Sequence, residues 1–236
     1  AKVVNLSEEN EPDIFRAIKK GAILENVVFK EGTNEVDFQD VSITPNTRVS
    51  YPIYHIDNIQ QNSIGENPKN IFFLTADSFG IIPPISKLTP GQAAYHFISG
   101  YTAKVAGTEA GVTEPQPNFS ACFGAPFMPL HPTKYAEMLS KKMKDADVKV
   151  WLINTGWTGG PYGIGSRMKL KYTRAMITAA LNGELDNVAY ENHKVFGFAK
   201  PQSCPNVPSE ILNPRNTWED PELYDKKAVE LAQKFK

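Results

Sequence analysis

The sequence lacks several features that would assign it to a common class. Its two cysteines, Cys122 and Cys204, are too few and too far apart for a disulfide framework, which predicts a reducing compartment. No apolar run reaches the ~18 residues that a membrane helix needs. The 25 basic and 26 acidic residues give a net charge of -1. We therefore expect no binding to membranes or nucleic acid, and a soluble, cytoplasmic protein.

Common catalytic motifs are also missing. None of the four histidines lies at metal-ligand spacing with another histidine or a cysteine, and H-E-x-x-H, C-x-x-C and G-x-S-x-G do not occur. Asp77 follows a buried strand, where an aspartate can hold a metal but more commonly caps the next turn. Zinc hydrolysis and serine hydrolysis therefore have no support from local motifs.

Residues 150–174 are the most informative stretch. An apolar run leads into a glycine-rich loop and then into a basic segment, a layout that suits a phosphate group. The phosphate-loop pattern G-x-x-x-x-G-K-[ST] is nearly matched by G-P-Y-G-I-G-S-R from Gly160 to Arg167, but Ser166 stands where the lysine belongs. A phosphate-binding loop and a flexible surface connection both remain open.

The order of elements predicts a mixed α/β fold with a twisted sheet and flanking helices in a single domain over residues 1–236. After an opening strand at residues 2–6, Ser7 or Asn10 is expected to cap a helix beginning near Pro12. Strand-like runs at 26–30 and 35–38 suggest a hairpin. Residues 107–124 and 195–214 are expected to be largely irregular. The remaining predicted elements are buried strands at 70–75 and 148–153, and helices at 90–99, 132–144, 173–181 and 221–236.

Eight segments in chain order resemble the ATP-dependent phosphoenolpyruvate carboxykinases. They extend over nearly the whole chain, and several are too long for a chance match. The segments are L-E-N-V at 24–27, N-T-R-V-S-Y-P at 46–52, F-L-T-A-D at 73–77, P-P-I-S-K-L-T at 83–89, Y-H-F-I-S-G-Y-T-A-K at 95–104, A-G-T-E at 106–109, S-A-C-F-G at 120–124 and I-N-T-G-W at 153–157.

The resemblance implies the carboxyl-terminal, mononucleotide-binding part of such an enzyme, incomplete at its amino-terminal side. The family's phosphate loop, paired aspartates and metal-holding lysine and histidine are then expected upstream of Ala1, in a missing part of the same protein. The implied reaction converts oxaloacetate and ATP to phosphoenolpyruvate, ADP and carbon dioxide with Mg²⁺ and Mn²⁺, in gluconeogenic or anaplerotic carbon metabolism.

The resemblance also implies roles for individual residues. Arg48, in N-T-R-V-S-Y-P, matches a catalytic arginine that contacts both the γ-phosphate of ATP and the substrate. Its planar guanidinium suits that position because it can neutralise charge on a transferring phosphoryl group. From the residue alone, a lone arginine such as Arg48 is usually a solvated surface residue or a salt-bridge partner. The other implied nucleotide contacts are Lys2, Glu11 (to the ribose), Arg167, Met168 and Thr173.

Two alternatives remain open. The first is that these 236 residues alone form a catalytically silent α/β module that packs against the rest of its protein. The second is the GTP-dependent carboxykinase class, which the motifs match less well.

Overall fold

The computed structural model describes residues 1–105, 112 and 114–235. The chain divides into two compact units. Unit 1 comprises Ala1–Glu66 with Val105–Glu114, and unit 2 comprises Asn67–Lys104 with Pro115–Lys236. The single domain over residues 1–236 stays a prediction, and the A-G-T-E segment at 106–109 lies outside the described residues.

Unit 1 is built from short elements. They are α1 (Pro12–Ala17), β1 (Ile23–Glu25), β2 (Val28–Phe29), β3 (Val36–Asp37), β4 (Arg48–Ser50) and the 3-10 helices Ile53–His55 and Gln61–Ser63. β2 and β3 pair antiparallel, which confirms the predicted hairpin. β1 pairs antiparallel with β4. The opening strand expected at residues 2–6 is reduced to an isolated bridge between Lys2 and Arg48.

The start of α1 differs from the prediction. Its N-cap position is Glu11, whose side chain makes no capping hydrogen bond, and Pro12 begins the helix as expected. Ser7 Oγ instead accepts the N–H of Asn10 at 3.2 Å, so the predicted capping residues stabilise the turn before the helix.

Unit 2 contains the main sheet and the longer helices. Its strands are β5 (Asn70–Thr75), β6 (Ile85–Leu88), β7 (Tyr101–Lys104), β8 (Gln116–Phe119), β9 (Lys149–Asn154), β10 (Trp157–Thr158), β11 (Ser166–Arg167), β12 (Tyr190–Asn192) and β13 (Ala199–Pro201). Its helices are α2 (Pro90–Ser99), α3 (Pro132–Asp145), α4 (Leu170–Leu181), α5 (Ser209–Leu212) and α6 (Pro221–Ala232), with 3-10 helices at Ala121–Phe123, Ala125–Phe127 and Pro214–Thr217.

The main sheet has five strands in the order β12-β13-β6-β9-β5. β5 and β9 run parallel, whereas the other neighbouring pairs are antiparallel. The mixed sheet confirms the predicted fold class. Two-stranded antiparallel pairs, β7 with β8 and β10 with β11, complete the strands of unit 2.

Alternation along the central strand β9 divides the core between the two faces of the sheet. Val150 and Leu152 belong to a cluster that includes residues of α2, α3 and α6. Trp151 and Ile153 belong to a second cluster with Met176 and other residues of α4 and α5. Because successive strand residues point to opposite faces, β9 is buried on both sides and helices cover both faces.

Two short strands lie in segments that were expected to be largely irregular, residues 107–124 and 195–214. β8 pairs with β7, and β13 joins the main sheet beside β12. α4 also begins three residues earlier than predicted, at Leu170. Across the described ranges, the helices are all too short or too polar to span a membrane.

Candidate nucleotide-binding site

The parallel strands β5 and β9 bring two loops together at one edge of the sheet. Thr75 and Asn154 are paired at the carboxyl ends of these strands. The chain continues from β5 into residues 77–82, the Asp77 loop, and from β9 into residues 155–167, the glycine loop. Open α/β sheets commonly bind ligands beyond the carboxyl ends of their strands, so this edge is the candidate site in unit 2.

Asp77 is fully buried and shapes its own loop. One carboxylate oxygen accepts the Phe79 N–H at 2.9 Å and the Tyr101 hydroxyl at 2.7 Å. The other accepts the N–H groups of Ile81 and Ile82 at 2.6 and 2.8 Å. Burial raises the pKa of the carboxyl group, and these hydrogen bonds oppose the rise. Asp77 therefore caps the turn, the commoner of its two expected roles.

Asn154 ties the two loops together at the end of β9. Its Nδ2 donates to the carbonyl oxygen of Ile82 at 2.8 Å. Its Oδ1 accepts the N–H of Asp77 at 3.0 Å and that of Gly156 at 2.8 Å. Because Asn154 is buried, this arrangement holds the start of the glycine loop firmly against the Asp77 loop.

Close backbone packing explains three of the glycines at this edge. A Cβ atom at Gly156 would lie 2.3 Å from the backbone N and O of Asp77. At Gly80 it would lie 2.2 Å from the carbonyl oxygen of Gly160, and at Gly165 it would lie 2.3 Å from that same oxygen. Such distances exclude any side chain without backbone movement, so glycine is needed here for packing.

Most backbone N–H groups of the glycine loop donate within the protein. Trp157 donates to Asp77 O at 2.9 Å and Tyr162 to Ser78 O at 2.9 Å, and Gly159 donates to Thr217 Oγ1 at 3.0 Å. A phosphate cradle requires several N–H groups directed at the anion. The loop is therefore a packed backbone segment rather than a phosphate cradle.

Arg167, on β11, is exposed, but its guanidinium group makes two contacts within the protein. It lies opposite Trp157 in the β10–β11 pair, and its guanidinium carbon is 5.3 Å from the centroid of the Trp157 ring. Its Nε donates to the carbonyl oxygen of Thr155 at 3.0 Å. The sequence shows Trp157 within I-N-T-G-W but gives no signal of this contact, because the pairing depends on the path of the intervening loop.

The partners of Arg167 are uncharged, unlike those of two other arginines. Arg16 pairs with Glu8 at 2.8 Å, and Arg215 forms hydrogen bonds with both oxygens of Asp225 at 2.9 and 3.1 Å. Within the part of the chain that the structure describes, Arg167 has no carboxylate partner. Its positive charge therefore remains available to an anionic ligand.

Met168 and Thr173 follow Arg167 but are both buried. The N–H of Met168 donates to Gly156 O at 2.8 Å, so a backbone contact with a ligand would use its carbonyl group. Thr173 lies in the first turn of α4, where its N–H donates to Lys169 O at 3.3 Å. The N-cap of α4 is Lys169 and its first turn has no acidic residue, so the helix begins in basic surroundings.

Arg48 and Lys2 come together in unit 1. They face each other across an antiparallel bridge, and Glu25 lies opposite Arg48 on the other side. These residues border a cleft of about 440 Å³. The residues lining it are Ala1, Lys2, Ile23, Glu25, Asn46, Arg48, Val49 and Ser50.

Arg48 is also held by an uncharged partner. Its Nε donates to Asn46 Oδ1 at 3.1 Å, and the carbonyl oxygen of Asn46 accepts Asn26 Nδ2 at 3.1 Å. Asn26 adopts a left-handed backbone conformation with φ of 58°, which asparagine tolerates better than most residues. For the described residues, no ion pair of Arg48 is found. Asn26 and Asn46 stand in the motifs that carry the resemblance, yet their contact was not predicted.

Glu11 lies apart from this pair in unit 1. It is half-buried at the N-cap of α1 and does not line the Arg48 cleft. The structure therefore places Lys2 beside Arg48 in unit 1, and the segment from Arg167 to Thr173 lies in unit 2. Their roles in binding stay predictions.

These features define a mixed α/β protein in which, among the described residues, neither Arg48 nor Arg167 forms an ion pair with a carboxylate, which suits an anionic ligand. A family model described as "Phosphoenolpyruvate carboxykinase" matches residues 1–210. Over all 236 residues, the chain is 92% identical to a protein of Flavobacterium johnsoniae and 75% identical to one of Christiangramia forsetii, both named "Phosphoenolpyruvate carboxykinase (ATP)". A protein of the same name from Caldanaerobacter subterraneus subsp. tengcongensis is 60% identical over 235 residues.

The chain belongs to the ATP-dependent phosphoenolpyruvate carboxykinase family, which confirms the resemblance found in the sequence motifs. It spans 44% of the length of the first two relatives and 45% of the third.

Proposed function

We propose that the whole protein is an ATP-dependent phosphoenolpyruvate carboxykinase and that this chain supplies part of its nucleotide and substrate site. The proposed reaction converts oxaloacetate and ATP to phosphoenolpyruvate, ADP and carbon dioxide, in the cytoplasm. Family membership and the names of the relatives support it. The structural observation that carries the proposal is that Arg48 and Arg167 are each held by uncharged groups.

Arg48 is the proposed catalytic residue of this chain. Its Nε is occupied by Asn46 at 3.1 Å, which leaves the two terminal NH₂ groups to donate to the γ-phosphate and to the substrate. A guanidinium placed between the two neutralises negative charge while the phosphoryl group transfers, and this lowers the barrier. Lys2, directly opposite, adds a second positive charge toward the nucleotide.

The proposed nucleotide contacts of unit 2 begin at Arg167. Its uncompensated guanidinium suits a phosphate of ATP. Met168 would contribute its carbonyl oxygen, because its N–H is already used by Gly156. Thr173 stands in the first turn of α4 beside the basic N-cap, and Glu11 in unit 1 is proposed to contact the ribose.

ATP, Mg²⁺ and Mn²⁺ are the proposed cofactors. The metals would neutralise phosphate charge when bound. In the described part of the chain, no group of three or more histidine, cysteine, aspartate or glutamate side chains is placed to hold a metal ion. We therefore assign the metal ligands to the remainder of the whole protein and derive no step through them from this chain.

Turnover of the whole protein tests the role of Arg48. Arg48→Ala should reduce turnover by roughly 10²- to 10⁴-fold, about 3 to 5 kcal/mol of transition-state stabilisation. The control is Arg16→Ala, which removes an exposed arginine that is ion-paired with Glu8 outside the cleft and should retain near-normal turnover. Near-normal turnover in Arg48→Ala would overturn the assignment.

Nucleotide binding tests the role of Arg167. Arg167→Ala should raise both the KM and the Kd for ATP, since it removes a ground-state contact with a phosphate. Unchanged values of both constants would contradict the proposal.

Parallel titrations with ATP and GTP on the unmodified protein would decide between the two carboxykinase classes, and tighter ATP binding is expected.

The silent-module alternative applies to the isolated 236 residues. The internal hydrogen bonds of the glycine loop favour it, since they leave few N–H groups in that loop for a phosphate. We expect no phosphoenolpyruvate formation from oxaloacetate and ATP by the isolated chain. Measurable product from the purified chain would refute this expectation.

A further inference from the structure

The side chain of Trp157 is rigidly placed beneath Arg167. Trp157 is only 8% exposed, and its backbone N–H donates to Asp77 O at 2.9 Å. Its ring and the Tyr162 ring make an edge-to-face contact, with a centroid distance of 5.5 Å and an interplanar angle of 85°. The backbone of Tyr162 is in turn held by its N–H, which donates to Ser78 O at 2.9 Å. The indole therefore has little freedom to move, and its position is set by both loops.

An aromatic ring holds a guanidinium differently from a carboxylate. Both attract the cation, but a carboxylate neutralises its charge, whereas a ring stabilises it through the quadrupole and leaves the charge in place. The Thr155 carbonyl group that accepts Arg167 Nε is also uncharged. In the described part of the chain, neither terminal nitrogen of Arg167 makes a hydrogen bond, so both remain able to donate.

We infer that Trp157 is a positioning residue for nucleotide binding: its ring, together with the Thr155 carbonyl group, orders Arg167 for a phosphate of a nucleoside polyphosphate without neutralising it. The inference rests on the proposed function, because it presupposes that Arg167 contacts the nucleotide. It goes beyond that function in assigning a role to a residue that acts through Arg167.

A double-mutant cycle on the whole protein tests this role. The Kd for MgATP is measured for the unmodified protein, Trp157→Leu, Arg167→Met and the double variant. Loss of the cation–π contact in Trp157→Leu should weaken binding about 3- to 10-fold. In the Arg167→Met background, the same replacement should have almost no further effect, because there is no guanidinium left to position.

Trp157→Phe keeps an aromatic face and is the conservative variant. It should bind MgATP more tightly than Trp157→Leu, because a phenyl ring retains part of the cation–π attraction. If Trp157→Leu does not fold, as judged by circular dichroism, the cycle is run with Trp157→Phe, which should weaken binding about 2- to 3-fold and only when Arg167 is present.

The outcomes separate this inference from the proposed function. If the unmodified protein does not bind MgATP, or Arg167→Met leaves the Kd unchanged, the proposed nucleotide contact fails and the inference fails with it. If Arg167→Met weakens binding but the Trp157 variant does not, the inference alone is overturned. Equal effects of the Trp157 replacement in both backgrounds would show a merely structural role and would also overturn it.

Discussion

Two buried histidines should make unit 2 sensitive to mild acid. His96 and His193 are 2% and 5% exposed. Burial lowers the pKa of His96 from 6.5 to about 4. Burial, followed by the charge of Lys200, lowers the pKa of His193 from 6.5 to about 4, although Asp225 and Glu191 oppose the shift. Both imidazoles are therefore neutral in the folded protein at pH 7.

The contacts of the two histidines explain why protonation is unfavourable. Among the described residues, neither buried ring nitrogen of His96 has a hydrogen-bond partner, and the ring centroid lies 5.8 Å from that of Phe73 and 5.7 Å from that of Phe123. His193 Nδ1 accepts the N–H groups of Val195 and Phe196 at 3.1 and 3.3 Å, so the proton of the neutral ring belongs on Nε2, which faces the hydroxyl of Tyr224 at 2.7 Å. A proton on Nδ1 would break this arrangement.

The size of the pH effect on stability follows from proton linkage. Below pH 6.5 the unfolded chain takes up protons that the folded protein does not, so stability is greatest above pH 6.5 and is lost as the pH falls toward 4. For a pKa of 6.5 in the unfolded chain and about 4 in the folded protein, each histidine lowers the free energy of unfolding by about 2 kcal/mol between pH 7 and pH 5. The loss levels off below about pH 4.

Urea denaturation at pH 5, 6 and 7 would measure this effect in the whole protein. At each pH, the free energy of unfolding of the unmodified protein is subtracted from that of the variant. Contributions from groups that titrate elsewhere then cancel. His96→Phe should be as stable as the unmodified protein or more stable at pH 7, and its advantage should grow by about 2 kcal/mol at pH 5. Met138→Leu, which replaces an exposed, non-titratable side chain of α3, is the control, and its difference from the unmodified protein should not change with pH. If the difference in the free energy of unfolding between His96→Phe and the unmodified protein did not change with pH, the proposed effect of burying His96 would be refuted.

Two further predictions concern the loops at the carboxyl edge of the sheet, and both are measured as changes in the free energy of unfolding. Gly156→Ala should destabilise the protein by about 2 to 3 kcal/mol because its Cβ would lie 2.3 Å from Asp77 backbone atoms, whereas Gly91→Ala, which meets nothing within 4 Å, should change stability by less than about 1 kcal/mol. Asp77→Asn should cost about 2 to 4 kcal/mol because an amide cannot accept all four hydrogen bonds, and a loss below about 1 kcal/mol would contradict the capping role.

Elements with strong local signals could be predicted from the sequence. Helix α2 begins where Thr89 and Gln92 form a reciprocal capping box, and it ends at Gly100 in a left-handed conformation. The hairpin of β2 and β3 and the strands β5 and β9 were likewise expected, and β9 is buried as predicted, whereas β5 is the edge strand of the sheet and only its Phe73 and Thr75 are buried. Each of these depends on residues within one short segment, so the local pattern carried enough information.

The missed strands depend on partners far away in the chain. β8 reads Q-P-N-F and β13 reads A-K-P, which combine proline with weak hydrophobic alternation and do not predict strands. β13 is paired with β6 at only one position, Ala199 with Lys87, and β12 adds an outer strand. Tertiary contacts therefore decide these assignments, and no local pattern could have revealed them.

The residues of the candidate site could be named from the sequence, but their arrangement in three dimensions could not. Arg48 and Arg167 could be chosen by resemblance, whereas the uncharged partners that preserve their charge emerged only in three dimensions. The glycine loop shows why. Parallel β5 and β9 force two loops to leave the sheet side by side, and only glycine allows their backbones to pack as closely as they do. That packing fixes Trp157, and Trp157 in turn holds Arg167. Under the proposed function, the glycines therefore act indirectly, through the arginine that they help to order, rather than by cradling a phosphate themselves.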